Sequence, residues 1–280
     1  MRIARLPQAC CLTISVLLVM MLHVTANATP TVFQTSGANA AAIQSTVDAF
    51  RAALGDPNNG NTAGPLTTGR REINWDGGGQ NTTLSGTPFN GFLNIRGAQF
   101  TTPAPGSGFI QAPPSGLATQ FNNPTYANFA TFSDPRLFSP IGSTLTDVGF
   151  FIPGTNGGTP AATLGFGAVF SDVDVTGNAS LHFFNTSGDS LGVFPVLAAT
   201  ANNGLSFLGV VFPELIGKVE ILSGNVPLGV SESGAIDIIV MDDFLYKEPA
   251  VVPEPATLVL LGASALGLGL AARRKKIAQG

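Results

Sequence analysis

Apolar residues near the start of the chain recur at helical spacing. Ile43, Val47, Phe50 and Leu54 are separated by four, three and four positions, which places them on one face of an α-helix. Gly55 follows at the position where glycine commonly ends a helix. The pattern predicts one N-terminal helix whose apolar face packs against the rest of the protein.

From Arg70 onward the apolar residues alternate with polar ones. Glu72-Ile73-Asn74-Trp75-Asp76 shows this alternation, which is typical of a half-buried β-strand. Similar short segments follow, separated by Gly, Pro, Asn and Ser turns. They are residues 91–95, 98–101, 146–152, 164–170, 180–184, 190–196, 205–212, 218–223 and 235–246.

The connections between these predicted strands are short and contain no helical segment. Parallel strands need longer crossovers, so the sheets should be antiparallel. Two stacked antiparallel sheets would bury one face of every strand. The sequence therefore predicts a mainly β protein, an antiparallel jelly-roll-like β-sandwich over residues 56–248. Residues 102–125 are rich in Pro, Gly, Ser and Thr and predict a long surface loop.

Residues 1–28 have the composition of a secretory signal peptide. Two arginines precede an apolar stretch, and Ala26 and Ala28 are the small residues expected at a signal-peptidase site. Cleavage after Ala28 would also remove Cys10 and Cys11, so the mature chain would contain no cysteine. Disulfides and thiolate metal sites are therefore excluded from the exported protein.

The last thirty residues combine three features in order. Pro253-Glu254-Pro255 is a stiff, extended segment, because proline cannot donate to a helix and restricts its neighbour. Residues 256–272 are uncharged, and a helix of this length covers about 25 Å, the short end of a membrane span. Arg273 and Arg274 begin a basic tail that should stay cytoplasmic. We expect a transmembrane helix that leaves the body outside.

These residues resemble the PEP-CTERM sorting signal of bacterial exported proteins. The resemblance is carried by Pro253-Glu254-Pro255, the apolar segment and Arg273-Arg274, and covers only the C-terminal end of the chain. It implies that an exosortase, a membrane enzyme resembling a transpeptidase, cleaves near the Pro-Glu-Pro sequence. The protein would be anchored in the membrane and then reach the cell surface or the extracellular space. The alternative is an ordinary membrane anchor after a proline-rich linker.

The body of the chain resembles a family of exported β-sandwich proteins. The resemblance is carried by Ile73-Asn74-Trp75-Asp76, Gly167-Ala168-Val169-Phe170-Ser171-Asp172-Val173-Asp174 and Val240-Met241-Asp242-Asp243-Phe244. It implies one domain and no particular activity. The predicted organisation is a signal peptide (1–28), an N-terminal helical segment (29–55), a β-sandwich domain (56–248), a linker with the Pro-Glu-Pro motif (249–255), a transmembrane helix (256–272) and a basic cytoplasmic tail (273–280).

The predicted mature body, residues 29–252, is acidic. It contains seven basic and sixteen acidic residues, whereas the whole chain has a net charge of only −4 because both termini carry cations. Nucleic-acid binding is disfavoured, since phosphate contacts need clustered Lys and Arg. His182 is the single histidine of the body, so a metal site built from several histidines is excluded. We expect it on the polar face of a strand.

Two acidic clusters are candidates for ion binding. Asp172 and Asp174 alternate at the end of a predicted strand, so their carboxylates should lie on the same side. Asp242 and Asp243 are adjacent in a strand and should point to opposite faces, one of them towards the core. Asp172, Asp174 and Asp242 are therefore candidate ligands of a structural calcium ion, which prefers hard oxygen ligands. The alternative is two solvated turn carboxylates and a core aspartate that accepts backbone N–H groups.

The sequence predicts an exported surface or matrix protein with a structural or adhesive role, and the resemblance to PEP-CTERM proteins implies an association with exopolysaccharide. The alternative is a carbohydrate-binding module, in which calcium could support the site. Trp75, Tyr126 and Tyr246 are aromatics of the kind that sugar-binding faces use. A polysaccharide hydrolase would need two carboxylates about 5 to 10 Å apart across a cleft. The available carboxylates include Asp76, Glu214, Glu220, Asp237 and Asp242. Their spacing selects no pair, so no enzymatic activity is predicted.

Overall fold

The computed structural model describes residues 29–231 and 235–252, in which thirteen strands and three α-helices form a mainly β protein. The strands are β1 (Thr31–Gly37), β2 (Arg70–Ile73), β3 (Thr83–Gly86), β4 (Ala98–Thr101), β5 (Gly108–Ala112), β6 (Leu137–Ile141), β7 (Leu145–Phe151), β8 (Pro160–Ser171), β9 (Ala179–Asn185), β10 (Ser190–Pro195), β11 (Leu205–Ser223), β12 (Val240–Lys247) and β13 (Ala250–Val251). The helices are α1 (Ala40–Leu54), α2 (Leu93–Arg96) and α3 (Pro114–Gln120).

Both predicted targeting segments lie outside these ranges. They include the signal peptide with Ala26 and Ala28, the motif Pro253-Glu254-Pro255, the transmembrane helix over residues 256–272 and the tail that begins with Arg273 and Arg274. Within the described ranges, the helices are all too short or too polar to cross a membrane.

Strand β11 is the longest strand and belongs to two branches of the sheet. Its first half pairs with β1 and β8, where Leu208 lies opposite Ala168. Its second half pairs with β7 and β9, where Ile221 lies opposite Leu181. Because the 19 residues of β11 pair with two sets of neighbours, the strands form one open antiparallel sheet. The mainly β, antiparallel prediction is confirmed, but the two separate sheets of a jelly-roll-like sandwich are not observed.

The largest hydrophobic core contains buried side chains from both branches of the sheet. Phe166 and Phe244 come from β8 and β12, whereas Leu181 and Val219 come from β9 and the second half of β11. A second cluster surrounds β5 and α3, and a third lies under α1. The alternating apolar residues of the strands therefore serve as core residues, as the pattern predicted.

The predicted N-terminal helix is present as α1. Ile43, Val47, Phe50 and Leu54 are all fully buried. At the C-terminus of the helix, the backbone N–H of Gly55 donates to the carbonyl oxygen of Arg51 at 3.1 Å, so Gly55 caps the helix as expected. The apolar face packs on the sheet beside side chains of β8, β11 and β12.

Two glycines allow α1 to approach the sheet closely. Gly167 and Gly209 are direct cross-strand partners in β8 and β11. A Cβ atom on Gly209 would lie 2.7 Å from the ring of Phe50, and one on Gly167 would lie 2.8 Å from the same ring. The ring of Phe50 therefore packs directly on the backbone of both glycines. Their position in an apolar stretch did not indicate this packing role.

Three local predictions are wrong. A strand, β1, precedes the helix, because residues 31–37 pair along their whole length with the distant strand β11. Residues 91–95 contain the short helix α2 instead of a strand, since an apolar alternation this short also fits one helical turn. Residues 102–125 contain β5, all of which is buried, together with α3. The apolar residues within that Pro- and Gly-rich stretch were sufficient to form part of a core.

Candidate functional site

Asp172 and Asp174, two of the predicted calcium ligands, line one polar cleft of about 330 Å³. The cleft lies where β8 ends and β11 begins, since Ser171 is the register partner of Leu205. The loop before β11 contributes Asn202 and Asn203. Residues of the 3-10 turn Pro124–Asn128 and Phe129 also line it. Carboxylate, amide and hydroxyl groups thus converge on one concave surface.

The two loops at this cleft are held together by backbone hydrogen bonds. Asp172 is only 3% exposed, and its Oδ1 accepts a hydrogen bond from the backbone N–H of Asn203 at 2.8 Å. The backbone N–H of Asp172 donates to the carbonyl oxygen of Gly204 at 2.8 Å. Asp172 and Asn203 have φ of 70° and 54°, a left-handed conformation that Asp and Asn tolerate better than most residues.

Asp237 supports the loop that carries Asp174. It is 1% exposed, and its carboxylate accepts hydrogen bonds from the backbone N–H of Val175 at 3.1 Å and from Nδ2 of Asn178 at 3.0 Å. Partial burial raises the pKa of Asp174, and the negative charge of Asp237 adds to this effect. Asp174 is therefore exposed to solvent on a loop that hydrogen bonds to Asp237 hold in place.

The third predicted calcium ligand, Asp242, is not among the residues that line this cleft. Across residues 29–231 and 235–252, no group of three or more His, Cys, Asp or Glu side chains is arranged to hold a metal ion. The structure thus brings Asp172 and Asp174 to one place and leaves Asp242 elsewhere. Calcium binding at Asp172 and Asp174 stays a prediction.

A β-bulge in β12 brings Asp242 and Asp243 to the same side of the strand. Met241 lies opposite Phe170 and Phe244 opposite Ala168, so two residues of β12 share one position on β8. Oγ of Ser133 contacts Oδ1 of Asp243 at 2.6 Å and Oδ1 of Asp242 at 3.3 Å. The expectation that these aspartates point to opposite faces is therefore wrong, because regular alternation does not hold across a bulge.

The buried Asp242 has backbone partners, as a core aspartate requires. It is fully buried, and its Oδ2 accepts hydrogen bonds from the backbone N–H groups of Phe132 at 2.6 Å and Ser133 at 3.3 Å. Asp243 is 4% exposed and lies 3.8 Å from a guanidinium nitrogen of Arg51 on α1. The pair therefore joins β12, the loop at residue 132 and the helix.

Burial raises the pKa of Asp242 well above its usual range, and the neighbouring charge of Asp243 raises it further. Burial also raises the pKa of Asp243, against the effects of Ser133 and Arg51. The two carboxyl groups lie side by side, since Oγ of Ser133 contacts an oxygen of each. We expect Asp242 to keep its proton to a higher pH than an exposed aspartate does.

Replacement of Asp242 by Asn is expected to remove a pH dependence of stability. The pKa of Asp242 is higher in the folded protein than in the unfolded chain, where it is about 4. The carboxyl group therefore stabilises the folded protein fully below about pH 4, and this stabilisation is lost as the pH rises through the folded-state pKa. Asn imitates the protonated acid, so the variant should lose less free energy of unfolding than the native protein when pH is raised from 4 to 8. Urea denaturation followed by circular dichroism at several pH values would measure the difference.

Asp242→Ala is the matched control for this prediction. It removes the acceptor of the N–H groups of Phe132 and Ser133, so we expect a loss of about 1–3 kcal/mol for each unsatisfied group at every pH. Equal pH profiles for the native protein and Asp242→Asn would contradict the assignment of the proton to Asp242.

His182 lies on β9 with its side chain 25% exposed, as predicted for a residue on a polar strand face. Its Nε2 is 2.8 Å from Oγ of Ser190, and its Nδ1 is 3.8 Å from Oε1 of Glu220. Ser190, His182 and Glu220 are the residue types of a catalytic triad. The distance from Nδ1 of His182 to Glu220 is, however, too long for a hydrogen bond. Glu220 therefore does not orient the imidazole for proton transfer.

The aromatic residues proposed for a sugar-binding face are buried. Trp75 and Tyr126 are 1% exposed, and Tyr246 is fully buried. The hydroxyl of Tyr126 donates to the carbonyl oxygen of Val230 at 2.7 Å, and that of Tyr246 donates to the carbonyl oxygen of Arg96 at 3.0 Å. Their polar groups serve internal contacts, so none of the three offers an open stacking surface.

The described body ends in a short edge strand beside a buried ion pair. Ala250 and Val251 of β13 pair with β8. The guanidinium of Arg71 binds both carboxylate oxygens of Glu248, at 2.6 and 2.7 Å, and both side chains are almost completely buried. The folded sheet is therefore fixed within a few residues of Pro253.

Sequence reasoning missed the three asparagines of the cleft, Asn128, Asn202 and Asn203. Asn202-Asn203-Gly204 is a typical turn sequence, which indicates a loop but not the cleft that the loop borders. It also missed Arg71 and Glu248, which are far apart along the chain. Strict alternation in residues 70–76 could have indicated that Arg71 faces the interior with Ile73, since β2 has exactly this pattern of burial.

Comparison with known proteins identifies the C-terminal segment. Residues 251–275 match the family described as PEP-CTERM protein-sorting motif. No curated protein and no solved structure matches the chain significantly. The resemblance of the body to exported β-sandwich proteins therefore stays a prediction, whereas the C-terminal recognition is confirmed. The motif implies export and C-terminal processing by an exosortase.

Proposed function

We propose that this exported protein is anchored through its C-terminal segment, cleaved by an exosortase and then retained on the cell surface or in the extracellular matrix. Its body would have a structural or adhesive role in association with exopolysaccharide. The observation that carries the proposal is the match of residues 251–275 to the sorting motif. Pro253-Glu254-Pro255, the apolar segment and Arg273-Arg274 occur there in the required order.

The end of the folded body supports this proposal. β13 ends at Val251, two residues before Pro253, and the last buried residue before Pro253 is Pro249. Cleavage near the Pro-Glu-Pro sequence would therefore leave the described strands, β1 to β13, and the Arg71–Glu248 pair in the product.

The proposal assigns no catalytic step to the body. Asp237 and Asp242, two of the carboxylates considered for a hydrolase, accept hydrogen bonds from backbone N–H groups and are almost completely buried. A carboxylate in such a position supports a loop, and a glycosidase needs its carboxylates on both sides of a bound sugar.

Replacement of Glu254 by Ala tests the sorting proposal. In cells that contain the exosortase, the native protein should lose its C-terminal segment, whereas Glu254→Ala should accumulate as the longer, membrane-bound form. The variant removes the only charged side chain between Val251 and Arg273. Immunoblots of membrane and extracellular fractions, with mass spectrometry of the C-terminus, would distinguish the two forms.

Glu214→Ala is a matched control, because Glu214 is an exposed glutamate of the body. It should be processed like the native protein. Unchanged processing of Glu254→Ala would refute the proposal. If the native protein also stays intact in the membrane fraction, the segment acts as an ordinary anchor.

A further inference from the structure

We infer that the cleft between Asp172, Asp174 and Asn202 binds an uncharged carbohydrate. A sugar can reach this cleft in the cell envelope or outside only if the body is exported, so the inference rests on the proposed function. It places a ligand away from the buried aromatics Trp75 and Tyr246, whereas Tyr126 borders the cleft but is only 1% exposed. The inference therefore assigns a binding site to the body, separate from the sorting motif at residues 251–275.

The chemistry of the lining suits sugar hydroxyl groups. Asn128, Asn202 and Asn203 each carry an amide that can donate and accept hydrogen bonds, and Asp174 contributes an acceptor. Sugar hydroxyls need both kinds of partner, because each can donate one hydrogen bond and accept others. Phe129 also lines the cleft, but it is only 5% exposed, so the contacts offered to a ligand are mainly polar. The volume of about 330 Å³ is within the range of small-ligand sites.

The cleft is organised before any ligand arrives. The hydrogen bond from Asn203 to Asp172 ties its two loops together, and Asp237 holds the loop of Asp174. A site whose loops are already ordered loses less conformational entropy when a ligand binds. Asp172 and Asn203 keep their left-handed backbone at the centre of this arrangement. Residues in such conformations are often concentrated at binding sites.

The charge of the cleft favours an uncharged ligand over an acidic one. None of the eight residues that line it carries a positive charge, whereas Asp172 and Asp174 are acidic. An acidic sugar would bring a further negative charge close to the exposed Asp174, and no side chain of the lining is a cation that could bind it. The same two carboxylates are also the predicted calcium ligands, so calcium must be varied in the test.

The test is binding of the full-length protein to an array of neutral and acidic glycans. The protein would be kept in a detergent without a sugar headgroup, because such a headgroup could compete for the cleft. We expect saturable binding to neutral glycans only. Asn202→Trp should weaken it about tenfold or more by filling the cleft, and Asp174→Ala should weaken it about tenfold by removing an acceptor. Both residues are exposed, so the fold should tolerate these changes.

Asp189→Ala is the matched control, since Asp189 is an exposed aspartate in the hairpin between β9 and β10. It should bind like the native protein. Absence of binding to any neutral glycan, or binding unaffected by Asn202→Trp, would overturn the inference. So would a preference for acidic glycans, or calcium binding to the cleft without glycan binding in either calcium or chelator. All variants should be processed normally at the C-terminus, so a failure here is separate from a failure of sorting.

Discussion

Replacement of Glu248 by Ala is expected to lower the free energy of unfolding by about 3–5 kcal/mol. The change would leave the guanidinium of Arg71 buried without the carboxylate that binds it through two hydrogen bonds. It would also remove one of the two acceptors for Nδ2 of Asn59, which lies 2.8 Å from Oε2 of Glu248 and 2.8 Å from the carbonyl oxygen of Thr68. A buried, uncompensated charge is more costly than the loss of an exposed ion pair, because water cannot replace the missing partner.

Urea denaturation followed by fluorescence would measure this loss, since Trp75 is the single tryptophan of the chain and is buried. Lys218→Ala is the control: Lys218 and Asp147 form an ion pair of 3.1 Å whose side chains are 41% and 28% exposed. We expect this change to cost about 1 kcal/mol or less. A similar small cost for Glu248→Ala would mean that water reaches Arg71 in the variant.

Replacement of Trp75 by Ala is expected to lower the free energy of unfolding by about 3–5 kcal/mol. The indole stacks on Phe138 with ring centroids 3.8 Å apart and meets Phe244 edge-on at 5.1 Å. Its Nε1 donates to the backbone carbonyl oxygen of Asp242 at 3.1 Å, inside the β-bulge. Alanine would therefore leave a cavity in the main core and an unpaired carbonyl group beside the buried carboxyl pair.

Circular dichroism must follow the unfolding of this variant, because the fluorescent residue is lost. Trp75→Phe should cost less, since it keeps an aromatic ring and loses only part of the volume and the hydrogen bond. Phe194→Ala is a further control, because Phe194 is half-exposed on the edge strand β10. Equal losses for Trp75→Ala and Phe194→Ala would show that the aromatic cluster around Trp75 contributes no special stability.

Local sequence patterns were sufficient for α1 and for most strands. The stripe formed by Ile43, Val47, Phe50 and Leu54 repeats at the period of a helix, and all four residues are buried as the period requires. The same reasoning failed at Asp242 and Asp243, because a bulge depends on the register between β12 and β8. It also failed for Trp75, whose alternation predicted a strand, because the residue lies two positions after β2 with φ of 65°.

Local sequence patterns also predicted only part of the candidate site at the cleft. The alternation of Asp172 and Asp174 indicated that their carboxylates could lie together, and both line the cleft. The spacing of Asp242 could not show that it belongs elsewhere, since its partners Phe132 and Ser133 are 110 and 109 residues away along the chain. Ion-pair and hydrogen-bond partners at such separations are selected by the packing of the sheet.

The sequence by itself determined the C-terminal sorting motif, the antiparallel β character of the body and the buried face of α1, because each depends on residue order or on a local period. Only the tertiary structure decided that β11 joins two branches into one sheet and that Asp242 and Asp243 share a side. It also decided that Arg71 meets Glu248. These features depend on strand register and on burial between distant segments, which the local pattern of residues does not contain.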